Sequence, residues 1–321
     1  MKRWTKWLVA LGAATLMAAC GGGDDDDAPG TLASEATERG FSALVAAADK
    51  AGLVPALSDP TARLTVFAPT DAAFDGVATT LGFTDATAMV SALDGPTLAK
   101  ILTYHVLPAR KTAADLVAGG ATQDTLYQFE GSATTLGLDT TSGVKITDAL
   151  LTQASVTTAN VAASNGVIHV IDKVLVPPGV LNVVQMALLN PTFSVLVEAV
   201  VKADLASTLS GAGPFTVFAP TNDAFTAALT ELSLTKDQLL ASAALGSILT
   251  YHVVADDLRA ADVVALPKPA VVTTVQGETF TVGADLGITD QRSRTAALVA
   301  TDVVASNGVI HVIDKVILPA P

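Results

Sequence analysis

The sequence predicts an α+β protein built from one module copied in tandem, and three duplicated blocks carry that prediction. ASNGVIHVIDKV occupies 163–174 and 305–316, ILTYHV occupies 101–106 and 248–253, and TVFAPT occupies 65–70 and 216–221. The blocks keep their order, so whatever the module does is present twice. Thr65 and Thr216 lie 151 positions apart, Tyr104 and Tyr251 147, and Asn165 and Asn307 142. The second copy has therefore shed residues between its blocks, where loops belong, because loops tolerate length change and packed elements do not.

At the start of the chain, Lys2, Arg3 and Lys6 precede an apolar run from Trp7 to Ala19. A cationic start, a short hydrophobic stretch and a small-residue exit describe a secretory signal over residues 1–19, too short to span a bilayer. The only cysteine, Cys20, stands where the signal ends. The segment LMAAC at 16–20 resembles a bacterial lipobox, which implies a lipid on Cys20; an ordinary signal with an incidental cysteine is the alternative. Residues 20–34 open with three glycines and Asp24 to Asp27, so they read as a solvated tether. Gly21 after Cys20 resembles the outer-membrane sorting class of Gram-negative lipoproteins, and tethers of this composition resemble those of surface-exposed ones.

Loss of the signal takes the formal charge from −13 to −16 and leaves enough chain for two ordinary domains. An acidic chain with no basic run argues against nucleic acid, because phosphate neutralisation needs clustered Lys and Arg. It argues equally against docking on anionic lipid, which leaves the lipid anchor as the membrane contact. Half the residues are apolar and 5% aromatic, so the cores should be aliphatic. A single cysteine cannot form an internal disulfide.

Each module begins with a helix-like segment, 41–58 and 193–210. Phe41, Leu44, Val45 and Ala48, like Phe193, Leu196, Val197 and Val200, make one apolar stripe at helical spacing. Leu64 to Ala68, mostly β-branched or aromatic and stopped by Pro69, reads as a short buried strand. Thr70 and Thr221 suit helix N-caps. Further helices lead to Tyr104-His105 and Tyr251-His252, and the last third of each copy reads as short strands. Asn165-Gly166 and Asn307-Gly308 predict hairpins, since both residue types accept positive φ. The next strand, Val167 to Ile171, is apolar on both faces and belongs inside a sheet. The domains span 35–177 and 187–319, joined near 177–186 by a connection too short for free motion.

Together these blocks resemble the fasciclin-like domain. The TVFAPT block with a following Asp or Asn, the Tyr-His pair and the NGVIHVID strand look like its signatures, twice and in order. The resemblance implies a β-wedge flanked by helices. It further implies secreted or surface-attached proteins in adhesion and matrix contacts, without catalytic activity or cofactor. In animal proteins of this family the Tyr-His pair and an Asp-Ile pair before the Asn-Gly turn are implicated in integrin binding. The matching positions are Tyr104, His105, Tyr251 and His252, with Asp302-Val303 in the second copy and Asn160-Val161 in the first.

All four histidines fall in the repeated blocks. Neither His169 nor His311 has a second histidine, cysteine or metal-spaced carboxylate nearby, and zinc needs three or four ligands, so no metal is expected. Asn165, Gly166, His169, Asp172 and their counterparts Asn307, Gly308, His311, Asp314 read as framework. Asp172 and Asp314 suit turn capping. Asp71 in one copy is Asn222 in the other; that interchange suits a cap, which needs only an acceptor oxygen, and not acid–base chemistry. Catalytic motifs are absent from the sequence. The reading is a non-enzymatic, envelope-anchored adhesion or interaction protein for matrix, polysaccharide or cell-surface proteins. A surface module for a small apolar or carbohydrate ligand is the alternative.

Overall fold

The computed structural model describes residues 28–321; the signal-like segment, Cys20 and most of the tether lie outside the described residues. In the first copy three helices, α1 (Leu32–Glu38), α2 (Ser42–Lys50) and α3 (Val54–Leu57), precede β1 (Leu64–Pro69). Next come α4 (Asp71–Thr80), α5 (Ala86–Ala92), α6 (Gly95–Tyr104), β2 (Val106–Leu107) and α7 (Ala113–Ala118). Five strands complete the copy: β3 (Thr122–Phe129), β4 (Ser132–Asp139), β5 (Lys145–Thr147), β6 (Gln153–Ala163) and β7 (Gly166–Ile171).

The second copy repeats the plan. It runs α8 (Val183–Leu189), α9 (Ser194–Lys202), α10 (Ala206–Leu209), β8 (Phe215–Pro220), α11 (Asn222–Leu232), α12 (Lys236–Leu240), α13 (Leu245–Tyr251), β9 (Val253–Val254) and α14 (Ala260–Ala265). Its closing strands are β10 (Ala270–Thr273), β11 (Thr279–Val282), β12 (Ile288–Thr289), β13 (Thr295–Ala296), β14 (Leu298–Ala305) and β15 (Gly308–Ile313).

Two boundaries differ from the sequence reading. Folded structure begins at Leu32, inside the expected tether, because Asn165 Oδ1 accepts the Leu32 N–H at 2.8 Å from 133 residues away. Likewise α8 starts before residue 187, with the Val183 N–H held by Asn307 Oδ1 at 3.0 Å. The striped segments 41–58 and 193–210 each form two helices rather than one. Gly52 at φ 69° and Asp204 at φ 55° turn the chain left-handed and end the first of each pair.

In the first copy the strands form one sheet, ordered β2-β1-β7-β6-β5-β4-β3, with β1 parallel to β7. In the second, β14-β15-β8-β9 and β10-β11-β12-β13 are separate four-stranded sheets. Side-chain alternation along the central strands divides the interior. Val66, Ala68, Ile168 and Val170 face the helices, whereas Phe67 and Ile171 face the core under the outer strands with Leu136 and Ile146. The second copy divides in the same way at Val217 and Ala219 against Phe218 and Ile313. This is the helix-flanked wedge that the resemblance implies, and both cores lie within 28–321.

Thr70 and Thr221 cap α4 and α11 through the Ala73 and Ala224 N–H groups, each at 3.2 Å. The following residues cap other helices: Asp71 accepts the Ala43 N–H at 2.9 Å and Asn222 the Val195 N–H at 3.0 Å. That supplies α2 and α9, whose own N-cap phenylalanines have no oxygen to offer. The hairpins at Asn165-Gly166 and Asn307-Gly308 form, but neither asparagine has positive φ. Glycine is required by close approach at both, and at Gly308 also by a φ of 153°. A Cβ on Gly166 would run into the Leu64 carbonyl, and one on Gly308 into that of Phe215.

The junction holds the copies together. Tyr127 donates to the Pro178 carbonyl at 3.2 Å, the Gly179 N–H to Val304 at 2.9 Å, and Asn190 Nδ2 to Leu150 at 2.9 Å. Leu150 and Val176 of the first copy pack into the helical core of the second. Among the described residues no single helix is long and apolar enough to cross a membrane.

Candidate functional site

The Tyr-His pairs lie at the ends of α6 and α13, where the helix runs into the inner strand β2 or β9. The structure buries both tyrosines, Tyr104 at 1% and Tyr251 at 0% exposure, which corrects any reading of them as surface contacts. Their rings belong to the sheet-side cores because the helix end faces inward. Tyr104 donates to the Thr135 carbonyl at 3.2 Å and meets Tyr127 edge-on at 6.2 Å. Tyr251 donates to Thr279 at 2.9 Å and meets Phe280 edge-on. Burial pushes both phenols up, Tyr251 to about 12.

His105 and His252 act as latches. Nδ1 of His105 lies 2.8 Å from the Ile101 carbonyl, and Nε2 accepts the Leu175 N–H at 2.8 Å. His252 repeats this with Ile248 at 2.8 Å and Ile317 at 3.1 Å. Those partners fix the neutral tautomer with its proton on Nδ1, since Nε2 faces a donor. Burial lowers both to about 4.

His169 and His311 work the other way round. Nε2 faces the carbonyl of Lys111 at 2.9 Å or Leu258 at 2.7 Å. Nδ1 accepts the N–H of Asn160 or Asp302, each at 3.3 Å. Burial lowers both. With every ring nitrogen engaged, these are framework groups that tie helix, loop and strand. Among the described residues no cluster of three His, Cys, Asp or Glu has metal-binding geometry.

Asp302 and Asn160 turn out to be equivalent in structure as well as in sequence. Both have positive φ, 59° and 61°, at a bulge in β14 or β6. Each Oδ1 accepts the first N–H of an earlier helix, Ala260 of α14 or Ala113 of α7, at 2.8 Å. An acceptor is all that position needs, so the acid missing from the first copy costs its fold nothing. Val303 is buried in the core, while Asp302 alone of that pair is exposed. Asp172 and Asp314 accept the N–H of Ser155 and Ala297, both at 2.7 Å. The structure brings together His169 with Asn160 and His311 with Asp302. It keeps both tyrosines on the far side of the sheet from the helical core.

A buried carboxylate in each copy escaped the sequence reading. Asp148 accepts from the N–H groups of Leu150 at 3.1 Å, Thr152 at 3.0 Å and Val176 at 3.0 Å, and burial pushes it up to about 6. Asp290 accepts from Leu318 at 2.9 Å and from the Arg294 guanidinium at 3.0 and 2.7 Å. Burial alone would raise Asp290, but backbone donors and Arg294 outweigh it and hold the carboxyl below its ordinary range. A short fourth repeat marks the pair: ITD at 146–148 and at 288–290, at the same 142-residue offset as the asparagines.

The family model for the Fasciclin domain matches residues 39–177 and 191–319. Protein sll1483 of Synechocystis is 47% identical over 145 residues, covering 43% of this chain and 74% of its own. Human periostin is 33% identical over 161 residues, covering 50% of this chain and 18% of its own. A solved FAS1 domain pair from the insect cell adhesion molecule Fasciclin I covers 89% of this chain and 98% of its own, at 20% identity and TM-score 0.45.

Proposed function

Because the chain belongs to the Fasciclin domain family, with two domains in tandem, we propose that it is a non-enzymatic adhesion or interaction protein of the cell envelope. Its partners are matrix polymers, polysaccharides or cell-surface proteins. The family supports this reading, since its resemblance implies secreted or surface-attached proteins that work in adhesion. One structural observation carries it furthest: the repeated histidine, asparagine and aspartate side chains bond to their own backbone. A framework of that kind presents outer loops, and loops on a rigid scaffold are where binding residues gather. Two copies pinned at one junction present two such surfaces at once, which raises avidity through effective concentration.

Residues 28–321 are expected to be retained saturably on at least one immobilised matrix protein, polysaccharide or cell surface. Tyr104→Phe with Tyr251→Phe should leave that retention unchanged, because both rings are buried. Absence of retention on every surface would overturn the adhesion reading.

We further propose that Cys20 carries a lipid that holds the protein in the outer membrane or at the surface of a Gram-negative cell. The lipobox-like LMAAC and the Gly/Asp tether support it. Cys20→Ser is expected to move the protein from the membrane pellet to the soluble fraction. Equal membrane retention of the variant would exclude anchoring through that thiol.

A further inference from the structure

Each domain contains an apolar cleft in the same place, between its first three helices and the strands that carry its duplicated blocks. The first is lined by Leu44, Val66 and Leu102, the second by their counterparts Leu196, Val217 and Leu249. Each encloses about 110 Å³ and is partly open to solvent, a scale similar to engineered apolar cavities of ~150 Å³ that take up benzene. The copies have diverged here without losing apolar character: Ala48 is replaced by Val200 and Thr37 by Leu188. Large apolar side chains stand exposed at the mouths, Leu126 at 42% in the first and Val201 at 62% in the second.

The polar atoms of the lining decide what fits. In the second cleft the only polar side chain is His252, and both its nitrogens are engaged. In the first, His105 is engaged likewise, and the Thr37 and Thr103 hydroxyls donate to Ala33 at 2.9 Å and Ala99 at 2.7 Å. A sugar or a peptide backbone lodged there would bury donors opposite carbon and leave them unpaired. A polymethylene chain has nothing to leave unpaired. Neither lining contains Phe, Tyr or Trp, so no ring platform favours a sugar face either.

We propose that each domain binds one linear aliphatic chain, of the kind found in fatty alcohols and lipid acyl tails, in this cleft. The chain runs in past Leu126 or Val201 and lies against the inner strand, with its head group left in water. The excess of acidic over basic residues in the chain favours a neutral head over an anionic one. This site is separate from the outer loops assigned to adhesion, so retention on a matrix neither supports nor removes it.

The test is calorimetric titration of residues 28–321 with octanol and decanol, beside cellohexaose and an apolar helical peptide. Two saturable sites per chain are expected, about fifteenfold tighter for decanol than for octanol. Ala48→Phe should close the first site and Val200→Phe the second, each leaving one. Overpacking can unfold a core, so Leu126→Asp and Val201→Asp serve as rim variants at exposed positions, each weakening one site at least tenfold. No saturable heat with either alcohol would overturn the proposal. So would a stoichiometry indifferent to all four substitutions, or tighter binding of the hexasaccharide or the peptide.

Discussion

On acidification from pH 7 towards pH 4 the second domain is expected to unfold before the first. His105 and His252 fall from an ordinary 6.5 to about 4 on folding. The unfolded chain therefore takes up a proton in that window that the folded domain refuses. Stability is present above pH 6.5 and is lost as pH falls to about 4, by about 3 kcal/mol per domain from these residues alone. His169 and His311 shift in the same direction. The carboxylates then separate the domains. Asp148 rises from 3.8 to about 6 on folding, so the folded first domain takes up its proton first and gains about 3 kcal/mol as pH falls through that range. Asp290 is held low by its donors and Arg294, so it supplies no such gain between pH 7 and pH 4, and its own contribution is lost only below its ordinary 3.8. The first domain is offset and the second is not. Amide spectra recorded along a pH titration would show signals of Val309 and Ile310 disappearing ahead of those of Val167 and Ile168. Simultaneous loss, or loss of the first domain first, would contradict this account.

Asn165→Ala is expected to cost roughly 3–5 kcal/mol, more than any exposed substitution in the chain. Asn165 is fully buried. Its Oδ1 accepts from Leu32, and its Nδ2 donates to the carbonyls of Leu57 and Asp59, each at 2.9 Å. Truncation leaves a buried donor and two partly exposed acceptors without their side-chain partner, and α1 loses the contact that fixes its start. Asn307→Ala should cost the second domain less, since Asn307 bonds Val183, Leu209 and Gly211 in the same pattern but is only half-buried. Denaturant unfolding checks both. A loss below about 1 kcal/mol would mean that water replaces these partners at no net cost.

The tandem architecture was legible because identical residues serve identical buried roles, and identity is easily seen. Strand β7 was legible because six successive buried positions leave no polar alternation. Thr70 and Thr221 were legible because a cap acts within three residues. What escaped is what acts at long range. The start of α1 depends on Asn165 and the cap of α2 on Asp71, and neither distance is written in local sequence. The hairpin was anticipated for the wrong reason: Asn-Gly implied a left-handed turn, whereas Gly166 is there to let Leu64 come close. The tyrosines looked like contact residues because family likeness marks a position without saying which way the ring points. Asp148 was hidden in a tripeptide too short to stand out, and its burial depends on a sheet formed elsewhere.

The latch at the end of the first domain has a mechanical meaning. Chain leaving β7 for the second domain passes through Leu175 and Val176, whose N–H groups are clasped by His105 Nε2 and Asp148 Oδ2. On the anchoring and adhesion proposed above, a pull between the two ends of the chain would travel along that strand. It would meet those two clasps before it reaches the β1–β7 pairing. Under such a load the first domain would bear tension through two side chains that titrate, and acid would slacken the histidine clasp.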